Sequence, residues 1–233
     1  MNQVYCGCGL YHIYISILKA IDDKKNGRKA LLVVINDRTK NIETLIEPLR
    51  SLDLFEEVLS VESYTLFKGL KKRLGIFKYF FGRAKAIKKE FEERNPQILE
   101  WDAFIANAEI NLYHVVKSRA YFIIKYPNNN FRMMEEGTGT YVQTLSWSQR
   151  VLRKYLMNYP MLMGYDNNFS EVLVQFPDQI KSPILRKKAV ELNLEELEVN
   201  MTEEEIQRVV SVFQESKSIC TMTRRKRLFL HNL

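Results

Sequence analysis

The sequence predicts an α/β domain built on a Rossmann-like, doubly wound parallel sheet. Three observations predict it. Short apolar runs alternate with stretches of helical periodicity along most of the chain. One of those runs, KALLVVIN (29–36), carries almost no polar alternation, as in a strand covered on both faces. Glycine-bearing turns follow two of the strand-like runs, at Gly7-Cys8-Gly9 and Glu135-Glu136-Gly137. In parallel sheets of this kind, ligands sit beyond the carboxyl ends of the strands.

The elements follow in order. QVYC (3–6) reads as a strand and 7–9 as a tight turn. In LYHIYISILKAIDD (10–23), Leu10, Ile13, Ile17, Leu18 and Ile21 share one broad helical face. KALLVVIN is the second strand. NIETLIEPLRSLDLF (41–55) is a helix that Pro48 kinks or divides. EEVLSVE (56–62) is the third strand. A long basic helical region over 67–94 ends before Pro96, with Gly69, Gly75 and Gly82 weakening its continuity.

WDAFIAN (101–107) reads as the fourth strand and AEINLYHVVKSR (108–119) as a helix, with Lys117 and Arg119 at its C-terminal end as the dipole prefers. AYFIIKYP (120–127) is a strand or an extended entry, and FRMMEE (131–136) a strand. From about 145 the texture becomes aromatic- and methionine-rich, interrupted by Pro160 and Gly164. SEVLVQFPDQI (170–180) is a strand with its loop. SPILRKKAVELN (182–193) and TEEEIQRVVSVFQES (202–216) are helical, and Thr202 with Glu205 forms a capping box. LFL (228–230), after four basic residues, opens a further buried strand.

Composition narrows the class. The chain has 233 residues, of which 46% are hydrophobic, enough for a packed core. Its net charge of +7 favours anionic partners. Cys6, Cys8 and Cys220 make an odd set, and their spacing fits neither a disulfide framework nor a zinc site. No basic residue precedes Lys19, so the N-terminus does not read as a secretory signal, and no apolar run is long enough to span a bilayer. A cytoplasmic location is expected.

The stretch FRMMEEGTGTY (131–141) carries the chemistry. A strand holds one carboxylate rigidly at its end. A second acid beside it orients the first or raises its proton affinity by like-charge repulsion. Glycine permits a positive φ and close approach of a ligand. The hydroxyls of Thr138 and Thr140 suit a polyol. A solvated turn has the same pattern, and the motif alone does not separate the two readings.

MMEEGTGTY, with the opening VYCGCGLYHIYI and the later VLVQFPD, resembles bacterial sialyltransferases of glycosyltransferase family 52 and their capsular polysialyltransferase relatives. The resemblance implies the N-terminal, acceptor-side domain of a GT-B enzyme. It implies inverting transfer of sialic acid from CMP-sialic acid to a galactose-type hydroxyl, in capsule or surface polysaccharide synthesis and without a metal. Glu135 is then the general base and Glu136 its orienting neighbour. Gly7, Gly9, His12, Gly137, Thr138 and Thr140 line the acceptor side. The family's His-Pro motif for the nucleotide is missing: none of His12, His114 and His231 precedes a proline. The chain is therefore expected to hold the acceptor-side domain over 1–222, with 145–222 completing it, and the start of a donor domain at 223–233.

The segment 66–89 holds nine basic residues and no acid, interleaved with aromatics. Lys71, Lys72, Arg73, Lys78 and Arg83 are the residues expected to meet an anionic membrane surface. Packing of the same apolar residues on the sheet is the alternative. Two rival functions stand beside the enzyme. One is a catalytically incomplete relative that binds glycan or a partner, or pairs with a second copy. The other is a basic nucleic-acid-binding module, for which no recognition motif is found and no nucleic-acid partner is expected.

Overall fold

The computed structural model describes residues 1–36, 42–63, 70–114, 118–156, 159–161 and 164–215. Of residues 70, 71, 73, 74, 76–80, 154, 156 and 215 it describes the backbone alone. The expected strand at 228–230 and the basic run before it lie outside the described residues.

In chain order the elements are β1 (Asn2–Gly7), α1 (Leu10–Lys25), β2 (Ala30–Asn36), a 3-10 turn (Ile42–Leu45), α2 (Ile46–Arg50), β3 (Val58–Glu62) and α3 (Leu70–Arg94). Next come α4 (Asp102–Ala106), β4 (Ala108–Leu112), α5 (Ser118–Lys125), β5 (Phe131–Met134), α6 (Thr138–Val142) and α7 (Trp147–Val151), which runs into a π turn. The last are β6 (Phe169–Val174), α8 (Pro183–Arg186), β7 (Ala189–Glu191), α9 (Leu194–Val199) and α10 (Glu203–Glu215).

Seven strands form one all-parallel sheet in the order β3-β2-β1-β4-β5-β6-β7. The order reverses between β1 and β4, the arrangement of a Rossmann-like fold. Alternate residues of each strand face opposite layers. Val4, Cys6, Val33, Ile110, Leu112 and Met133 pack against Ile87 and Phe91 of α3 and Ala120–Ile123 of α5. Tyr5, Leu32 and Val34 pack against α1, α2 and Val209 and Val212 of α10. The expected two-sided burial of the second strand is thus present, and each face has its own core.

Three expectations fail between 101 and 127. WDAFIAN forms no strand; Asp102–Ala106 is a short helix, and the fourth strand is Ala108–Leu112. Its polar residues disguise it. Glu109 accepts from Gln3 (3.3 Å) and Asn130 (2.5 Å) and pairs with Arg132 (2.6 Å), while Asn111 donates to Gln3 (3.0 Å). These buried acids and amides read as a helix's polar face and are instead cross-strand partners. AYFIIKYP is helical because Tyr121 stacks on Phe91 of α3 at 4.1 Å, which outweighs its strand propensity. Arg119 accordingly stands at the start of α5, not at the end of a helix. Lys117 lies outside the described residues. Farther on, Ala189–Glu191 is an edge strand where a helix was expected.

Other details agree. The division before α2 places Pro48 in its first turn, where no N–H is needed. Gly75 (φ 72°, ψ 166°) breaks α3, as its glycines suggested. Thr202 and Glu205 exchange both bonds of the capping box.

Candidate functional site at the switch point

The two glycine turns meet at the carboxyl edge of the sheet. Gly7 ends β1, and a Cβ there would lie 3.3 Å from the His12 Cβ, so its glycine permits the close approach of α1. Gly137 has φ 124° and ψ −151°, a region that only glycine occupies readily. A Cβ at Gly137 would meet nothing within 4 Å, so the loop is open there. Thr138 is exposed. Thr140 is fully buried, and its Oγ1 accepts the Glu136 amide proton at 2.9 Å. Thr140 therefore braces the loop from inside.

The two acids have different surroundings. Glu135 is 4% exposed. Its Oε1 accepts from Tyr11 Oη (3.1 Å) and Gln175 Nε2 (3.0 Å). Its Oε2 accepts from Tyr141 Oη (2.5 Å) and the Gln175 amide (2.8 Å). A carboxylate has about four acceptor sites, and all are occupied. Glu135 thus ties β5 to β6, α1 and α6. Burial, and then the adjacent Glu135 charge, push the Tyr11 and Tyr141 phenols up, so both remain donors at neutral pH.

Glu136 is partly open, its side chain 32% exposed, and its Oε2 lies 2.8 Å from His114 Nδ1. Burial raises its proton affinity. The His114 hydrogen bond and the Arg119 charge help to outweigh that, and the carboxyl sits below its ordinary range. It is ionised at neutral pH and in contact with solvent.

His12 is 6% exposed and stacks on Tyr113 with centroids 4.2 Å apart. Nδ1 accepts the Cys8 amide proton at 3.3 Å, and the ring also hydrogen-bonds the Glu136 backbone. Burial first, then the Arg119 charge, lower its pKa to about 4. It is neutral at pH 7 and bridges the β1 and β5 loops. The Cys8 Sγ lies 3.4 Å from Nδ1.

The structure therefore gathers Gly7, Gly9, His12, Glu135, Glu136, Gly137, Thr138 and Thr140 at one edge. Sequence reasoning missed the roles of Tyr11, His114, Arg119 and Gln175, which come from α1, β4, α5 and β6. Only Tyr11, inside the VYCGCGLYHIYI stretch, and Gln175, inside VLVQFPD, lay in segments that carried a signal. Among the described residues no cluster of His, Cys, Asp or Glu could hold a metal ion, and no helix is long and apolar enough to cross a membrane. Of the residues expected at a membrane, Lys72 is exposed. Arg83 stacks over the Tyr159 ring at 3.9 Å. The side chains of Lys71, Arg73 and Lys78 lie outside the description.

No family model, no curated protein and no solved structure matches the chain.

Proposed function

We propose that this domain is the acceptor-side half of an inverting GT-B glycosyltransferase that moves sialic acid from CMP-sialic acid to a galactose-type hydroxyl in surface polysaccharide synthesis. One observation carries the reading. An ionised, partly exposed carboxylate, Glu136, stands beside an open glycine loop at the carboxyl edge of the sheet.

In this reading the different bonding of the two acids supports different roles. Glu135, with four donors on it, holds the loop in place. Glu136 takes the acceptor proton, which exchanges the base and orienting roles expected from the motif. As the acceptor oxygen bonds to the anomeric carbon, its proton passes to Glu136, and the bond to the CMP phosphate breaks with the electron pair leaving on CMP. A carboxylate of low basicity suffices where the hydroxyl becomes acidic late in an oxocarbenium-like transition state. In this reading Thr138 and the backbone at Gly9 and Gly137 meet acceptor hydroxyls.

The test is CMP release from CMP-sialic acid with a terminal galactoside present. Acceptor-dependent release supports the enzyme. Galactoside binding with no CMP release would instead select glycan binding without turnover. The basic part of α3, with Lys72, Lys85, Lys88 and Lys89 exposed and Phe81 75% exposed, is assigned in this reading to an anionic membrane surface. Co-sedimentation with anionic but not neutral vesicles is expected. Equal sedimentation with both, or none, rejects it.

A further inference from the structure

Arg119 is held in a costly way. It is 3% exposed. Its Nε donates to the His114 carbonyl at 2.7 Å, which turns the guanidinium back toward the end of β4. Its Nη1 is buried and makes no hydrogen bond among the described residues. No carboxylate of the described residues forms an ion pair with it within 4.0 Å. A buried cation with an unsatisfied donor is strongly unfavourable unless something compensates it.

The helix adds to the cost. Arg119 is the second residue of α5, an eight-residue helix with no acid in its first turn. The first-turn amides of a helix are positive and lack intrahelical acceptors, so a cation there meets a field of its own sign. The charge reaches across the crevice: it lowers the proton affinity of His12 on α1 and of Glu136 beyond β5. Glu136 compensates only from a distance and is itself bonded to His114. The positive potential at the switch point thus has a fixed cationic source and a buried, unsatisfied donor.

We propose that Arg119 anchors an anion subsite at the carboxyl ends of β1, β4 and β5, which takes the carboxylate or phosphate group of a small ligand. The anion accepts from Nη1 and faces the α5 N-terminus. The subsite does not depend on Glu136 acting as a base, so it stands or falls apart from the proposed transfer reaction.

The experiment uses the full chain at constant ionic strength with two probes, N-acetylneuraminate for a carboxylate and inorganic phosphate. Calorimetry should show saturable binding of at least one, and the tighter probe identifies the group. Arg119→Gln should weaken it at least tenfold, as for loss of a hydrogen bond to a charged group. Arg119→Lys should keep part of it, and Glu136→Gln, which removes a nearby negative charge, should bind no more weakly than the native chain. Because Arg119→Gln can disturb folding, a second measurement needs no variant. Arginine side-chain NMR of the native chain should show the signal of the buried Arg119 guanidinium shifting as the probe is added. Binding of neither probe overturns the proposal, as does undiminished binding by Arg119→Gln or a shift confined to the signals of other arginines.

Discussion

His12 shows how a single residue couples the site to stability. Its folded pKa of about 4 lies below the ordinary 6.5, so the unfolded chain binds the extra proton first. The sign follows: its stabilising contribution is whole above pH 6.5 and is lost as pH falls toward 4. The shift corresponds to on the order of 3 kcal/mol. Urea unfolding of the native chain should therefore weaken across that window, and His12→Gln should weaken less over the same range. Identical pH slopes would contradict the burial of a neutral ring. At this scale the sequence was partly legible. The acids and glycines announce themselves as a motif, but the different bonding of Glu135 and Glu136 does not. It depends on Tyr11 and Gln175, which lie 124 and 40 residues from Glu135 in the chain. No local pattern reports such partners.

The turn from β5 into α6 is the element that presents the site. Gly137 adopts a glycine-only conformation with free space around its Cβ position, so a side chain there is penalised by the backbone alone. Gly137→Ala should lower stability by roughly 1–3 kcal/mol, read as a fall in the urea midpoint. An unchanged midpoint would show that the loop relaxes without cost. Gly164 is a different case: its φ is 81°, and an added Cβ would also press on Met133 at 3.2 Å. Elements with uniform burial, such as β2, were plain in the sequence because both faces ask for apolar residues. β4 was not. Its Glu109 and Asn111 satisfy each other's neighbours across strands, so tertiary pairing hid its period. α5 was missed for the opposite reason, since its aromatic and β-branched residues suit a strand until Phe91 offers Tyr121 a stacking partner.

The whole molecule was legible as a class because alternation of strand and helix survives errors in single elements. Shifting the fourth strand by one segment leaves the parallel order intact, and the reversal between β1 and β4 still places both glycine turns at one edge. What alternation does not supply is the convergence of α1, β4, α5 and β6 on the Glu135–Glu136 loop, which needs the strand order itself. The central claim is that this convergence makes Glu135 a brace and Glu136 a base. The most direct measurement compares CMP release from CMP-sialic acid, with a galactoside acceptor, for the native chain, Glu136→Gln and Glu135→Gln, each with its melting temperature. The account predicts that Glu136→Gln loses about 10²- to 10⁴-fold in rate, with a smaller fall in melting temperature than Glu135→Gln, because it loses one ion pair where Glu135 loses a full set of four donors. It predicts that Glu135→Gln lowers the melting temperature, because an amide cannot accept all four donors. A Glu136→Gln variant that releases CMP at the native rate would contradict it.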